Sequence, residues 1–80
     1  MDTANLVRMA NRIGDFFDAM PERDDALAGI AEHIEKFWEP RMRRQLLAAV
    51  DAGEAGALQE IVRAALEQRR DVIGRATQGG

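Results

Sequence analysis

The chain contains no cysteine, no serine and no tyrosine, and only one lysine, one histidine and one tryptophan among its 80 residues. Without cysteine it cannot build a disulfide framework, a cysteine-based zinc knuckle or a thiolate ligand set for an iron–sulfur cluster. Without cysteine or serine it lacks the usual activated nucleophiles. Long apolar runs are missing too. No segment approaches the roughly 18 consecutive apolar residues that a membrane span requires, and the acidic, polar start is unlike a secretory leader. Strand signals are absent, because Ile, Val and Thr are scattered and never alternate with polar residues. These absences predict a small, soluble, all-α protein that is not an enzyme, with the cytoplasm as its expected location.

What is present is alanine and charge. Hydrophobic residues make up 46% of the chain, but 14 of them are Ala, and Leu, Ile, Val and Phe together supply only 18. A chain of this size draws roughly 3–5 kcal/mol from its own core, so the core is either lean or shared with a partner. The net charge of −3 is uneven. Residues 1–35 set Arg8, Arg12 and Arg23 against eight carboxylates, a net −5. Residues 36–44 carry Lys36, Arg41, Arg43 and Arg44 against Glu39, a net +3. Residues 45–80 net −1. A generic nucleic-acid binder has a broad basic stripe. One compact basic spot on an acidic body suits a single acidic patch on a partner better.

Apolar residues recur at helical spacing along the chain, predicting a single domain of about four helices, two long and two medium, with tight proline corners. The first spans about 3–19, with Leu6, Met9, Ala10, Ile13, Phe16, Phe17 and Met20 as its stripe, Asp2 or Thr3 as cap and Pro21 as its stop. The second spans about 24–38, capped by Asp24, with Ala26, Leu27, Ile30, Ala31, Ile34, Phe37 and Trp38 on its apolar side. The third runs from about Pro40, well suited to a first helical position, to Ala52, with Met42, Leu46, Leu47 and Val50 inward and Gly53 ending it. The fourth spans about 57–75, and residues 76–80 form a flexible tail. Gly14 and Gly29 are equidistant from the first turn. They either let the first two helices approach one another or face solvent.

Few residues offer chemistry. His33, the only histidine, has Gly29, Ile30, Lys36 and Phe37 at the positions where helical metal ligands would sit, and none is a useful ligand. The pairs Asp15/Asp18, Asp24/Asp25 and Glu32/Glu35 fall on polar faces and read as solvated charge, with Glu32–Lys36 as an i,i+4 pair. No phosphate-cradling glycine motif occurs. The segment Phe37-Trp38-Glu39-Pro40-Arg41-Met42-Arg43-Arg44 stands apart. Trp and Arg are the residue types most enriched at interface hot spots, and Pro40 would hold the arginines on a rigid helix start. Three cations there oppose the helix dipole, which favours a compensating acidic partner, internal or external. Trp38 either closes the core of the first two helices or anchors a partner. Phe37, Trp38, Pro40, Arg41, Met42, Arg43 and Arg44 are the candidate partner interface.

Three blocks carry a family resemblance. Leu6-Val7-Arg8-Met9-Ala10-Asn11-Arg12-Ile13-Gly14-Asp15-Phe16-Phe17, Gly29-Ile30-Ala31-Glu32-His33-Ile34 and Phe37-Trp38-Glu39-Pro40-Arg41-Met42-Arg43 resemble, in order and spacing, the delta subunit of soluble NAD-dependent formate dehydrogenases. The likeness covers about residues 5–50. It implies an accessory subunit with no cofactor of its own. A catalytic alpha subunit is implied to carry a molybdenum or tungsten pterin and iron–sulfur clusters, a beta subunit FMN and the NAD site, and a gamma subunit a further cluster. The delta subunit is implied in assembly, maturation or stability of that complex. Two other readings use the basic spot: the third helix as a nucleic-acid recognition helix, or its arginines as a hold for the anionic pterin dinucleotide during delivery.

Overall fold

The computed structural model describes residues 2–74. They form five helices, α1 Thr3–Phe17, α2 Arg23–Phe37, α3 Pro40–Asp51, α4 Glu60–Gln68 and the single turn α5 Arg70–Ile73, with no strand among the described residues. The architecture is the small all-α bundle expected. α2 is its central element and packs against each of the other four helices. Its buried side is Ala26, Leu27, Ile30, Ala31 and Ile34, five residues of the stripe its spacing predicts; Trp38 is buried just past the helix end, and Phe37 is exposed.

The core takes large side chains from all five helices. Leu6, Ile30, Ile34, Leu46, Val62, Leu66 and Ile73 are wholly buried. Six alanines, Ala10, Ala26, Ala31, Ala49, Ala55 and Ala65, are buried among them. Their small side chains let the helix backbones approach closely, which makes the molecule a slab of 34 × 30 × 17 Å. Each buried large aliphatic side chain contributes about 1.5–3 kcal/mol. With so few of them, each matters more than it would in a larger domain.

The helix ends differ from the expected ones in four places. α1 stops at Phe17. The Asp18 amide closes it on Gly14 (2.8 Å), and the Met20 amide turns back to Phe17 (3.0 Å) just before Pro21. α2 begins at Arg23 with Glu22 as its N-cap, so Asp24 and Asp25 lie in its first turn, where carboxylates offset the positive end of the dipole. α4 begins at Glu60 rather than near Ala57, because residues 57–59 are fastened across to α1. It then breaks at Arg69 (φ −117°, ψ 28°), and α5 restarts to carry Ile73 into the core. Arg70 at that restart donates to Asp51, the last residue of α3. The expected continuation to Arg75 and the tail 76–80 lie outside the described residues.

The fastening of residues 57–59 is made by Asn11. Its side-chain amide donates to the Ala57 carbonyl (3.0 Å) and its oxygen accepts from the Gln59 amide (2.9 Å). None of the five N-cap residues uses its own side chain as a cap, so Asn11 supplies from α1 what the start of α4 lacks. Arg63 holds the Ala55 carbonyl (2.9 Å), and Arg23 pairs with Glu60 (2.7 Å), tying the loop and α4 to the rest.

α3 ends as Gly53 predicts. Gly53 is left-handed (φ 74°). Its amide bonds to Val50 (3.1 Å) and the Glu54 amide to Ala49 (2.8 Å), the paired bonds of a Schellman cap. A Cβ at Gly53 would meet nothing, so the cost of one is purely conformational. Gly53→Ala should therefore lower stability by about 1–2 kcal/mol, read as a lower urea midpoint with an unchanged slope.

Candidate interaction surface

The residues expected to form one interface at the α2–α3 corner are divided by the fold. At Trp38 the backbone leaves the helix (φ −92°, ψ 141°). Trp38 goes inward and is 7% exposed, while Phe37 stays outside at 72%. Glu39 caps α3 with Pro40 at its first turn. Arg41 and Arg44 are exposed, Pro40 and Met42 half-buried, and Arg43 is 3% exposed. Trp38 and Arg43 are thus corrections, since neither offers a surface in this chain. Arg43 stands three, four and seven residues before Leu46, Leu47 and Val50, so helical geometry puts it on the buried stripe. A buried guanidinium must be compensated within the fold.

A different surface emerges on α1 and α2. Phe16 is 75% exposed, and its ring meets Phe17 edge-on with centroids 5.0 Å apart. Phe17 lies 6.4 Å from His33, and His33 4.8 Å from Phe37. These four rings form a continuous aromatic ridge across two helices. Two shallow hollows share Phe17 and His33. One, of about 310 Å³, is completed by Arg12, Ile13 and Phe16. The other, of about 210 Å³, is completed by Gly29, Glu32, Lys36 and Phe37.

The glycines explain how the ridge is seated. A Cβ on Gly29 would stand 2.5 Å from the Phe17 ring, so Gly29 is where that ring rests. Gly14 does not face Gly29. A Cβ there would stand 2.5 Å from Oε1 of Gln59 and 2.6 Å from Val62, so Gly14 makes room for α4. Both glycines serve close approach, but not to each other. The sequence signal for the ridge was the repeated pattern of an aromatic pair ending each of the first two helices. Spacing alone puts Phe16, Phe17 and Phe37 on the inward stripes and leaves His33 off them.

Elsewhere the chemistry stays dispersed. All six carboxylates of the three pairs are exposed, and Glu32 pairs with Lys36 at 3.8 Å. Among the described residues no group of three or more His, Asp or Glu side chains is arranged to hold a metal ion, and no helix is long and apolar enough to cross a membrane.

The described residues thus form a small all-α fold with an aromatic ridge and two open hollows on its α1–α2 side. The family model of the NADH-dependent formate dehydrogenase delta subunit, FdsD, matches residues 5–66. The chain belongs to that family. The matched span runs from α1 to Leu66 in α4, beyond the three blocks that carry the resemblance. No curated protein and no solved structure matches the chain.

Proposed function

We propose that this chain is a non-catalytic accessory subunit of a soluble, cytoplasmic NAD-dependent formate dehydrogenase. It docks on the cofactor-bearing alpha subunit, with the beta and gamma subunits as further neighbours in the complex, and supports that subunit's assembly, maturation or stability. Family membership carries the reading. Two exposed phenylalanines in a chain with so small a core support it, because large apolar side chains left outside are the raw material of an interface. The pterin, iron–sulfur clusters, FMN and NAD site are assigned to the partner subunits. For the clusters the donor set here does not fit, since the chain has no thiolate to ligate their iron. The nucleic-acid and pterin-holding readings are weakened by the burial of Arg43, which leaves only Arg41 and Arg44 exposed at the start of α3.

Co-expression of the catalytic subunits with and without this chain tests the proposal. The enzyme made without it should hold severalfold less pterin metal and cluster iron per alpha subunit, with activity reduced in proportion. Equal metal content, iron content, thermal inactivation and activity in both preparations would refute the accessory role.

A further inference from the structure

We propose that α5 is a strap hinged at Arg69, which opens as a unit while α1–α4 stay folded and uncovers the seat of Ile73 between α2, α3 and α4. Its opening needs no partner subunit.

The hinge is the break between α4 and α5. The backbone departs from helical geometry at Arg69 (φ −117°, ψ 28°). Beyond it the Val72 and Ile73 amides close on the Arg69 carbonyl (3.1 and 2.9 Å), and the Gly74 amide on that of Arg70 (2.9 Å). These bonds belong to α5 and its own cap, not to α4. A single turn joined through one non-helical residue swings by changing that residue's dihedral angles, and α4 keeps its ladder. The strap lies against α2, α3 and α4. Part of what it covers is Leu47 of α3, whose Cδ1 stands 3.2 Å from where a Cβ on Gly74 would lie.

Two fastenings of different kinds hold the strap shut. The first is Ile73, the one buried residue of α5 and one of the seven wholly buried large side chains of the core. Opening withdraws this side chain, whereas global unfolding withdraws all seven. Burial stabilises roughly in proportion to apolar area, so opening lies well below global unfolding in free energy. The second is Arg70. Its guanidinium donates to Asp51 at the end of α3 and stands 3.4 Å from Glu67 in α4. The three side chains are 38%, 55% and 53% exposed, so salt weakens this fastening and spares the buried one.

The absence of cysteine supplies the probe. In full-length Ile73→Cys the only thiol lies under the strap. In Val62→Cys it lies at a wholly buried position of α4. Iodoacetamide should label position 73 about tenfold or more faster than position 62, with a rate nearly flat in urea below the main transition, because opening exposes little surface. Raising the salt to about 0.5 M should speed labelling at 73 severalfold, and Arg70→Ala should give that gain at low salt and abolish the response. Cysteine fills the seat less well than isoleucine, so amide exchange in the unaltered chain reads the same opening. The Val72, Ile73 and Gly74 amides should share one protection factor, about tenfold or more below that of Ile34 in α2. Labelling at 73 that keeps pace with 62 and climbs with urea beside it would overturn the strap, since α5 would then open only with the whole fold. Protection falling stepwise from Val72 to Gly74 would reduce the motion to fraying of a helix end. A salt response that survives Arg70→Ala would overturn Arg70 as the fastening.

Discussion

Trp38→Ala is expected to unfold the isolated chain. The indole is 7% exposed within the single core cluster, and removing a buried Trp side chain costs about 3–5 kcal/mol. An 80-residue domain has about 4–12 kcal/mol of total stability at ordinary values per residue, and the lower part of that range suits a core this rich in alanine. The helical circular dichroism signal at 25 °C should fall to a small fraction of the wild-type value or melt well below it. Trp38→Phe, which retains most of the apolar volume, should remain folded with a lower midpoint. The experiment decides between the two roles the sequence leaves open for this residue. A partner anchor could be truncated without harm to the isolated chain, and only complex formation would suffer. A well-folded Trp38→Ala chain with a native melt would restore that role.

Gly14→Val is the second large effect. Glycine inside a helix is unfavourable by about 1 kcal/mol relative to Ala, so on propensity alone most substitutions at Gly14 should help. The packing says otherwise. A Cβ there lies 2.5 Å from Gln59 and 2.6 Å from Val62, which is itself wholly buried. The Gln59 side chain could swing away, but only by giving up its 2.6 Å bond to Asp15. Val62 is β-branched on α4 and has little rotamer freedom. Valine at position 14 also adds two methyl groups beyond the Cβ, and overpacking of this kind costs about 1–3 kcal/mol. Loosening the Asn11 clasp on residues 57–59 adds the loss of one or two hydrogen bonds of about 1 kcal/mol each. A fall of about 3 kcal/mol in unfolding free energy is expected by urea titration. A midpoint at or above that of the wild type would show that α4 does not lean on Gly14.

Much of the fold was legible because simple rules act locally. The apolar spacing of α2, the start at Pro40 and the left-handed Gly53 each follow from nearby residues. What was illegible depends on pairs distant in sequence. Of the stripe predicted for α1, Leu6 and Ala10 are buried and Met9, Ile13 and Phe17 partly so, but Phe16 and Met20 are exposed, while Val7 and Gly14, outside that stripe, are buried. Gly14 is buried because α4 comes close there, with Val62 2.6 Å from where its Cβ would stand, a contact between positions 48 residues apart. Arg43 was misplaced for the converse reason. Its charge argued for solvent, while its register with Leu46 and Leu47 put it inside. The fourth helix was read as continuous because nothing at Arg69 announces a break; the break serves Ile73, whose place is set by other helices. The aromatic ridge was visible in one of its four residues. Phe37 was named from sequence, but Phe16, Phe17 and His33 join it only through the packing of α1 on α2.

The clasp made by Asn11 has a consequence in time. Its two backbone partners, at Ala57 and Gln59, lie 46 and 48 positions further along the chain. At about 5–20 residues per second, a ribosome delivers them roughly 2–10 s after Asn11 itself. During that interval α1 and α2 exist without the helix that closes over Gly14. The packing of α1 against α4 is therefore completed only after most of the chain has been made.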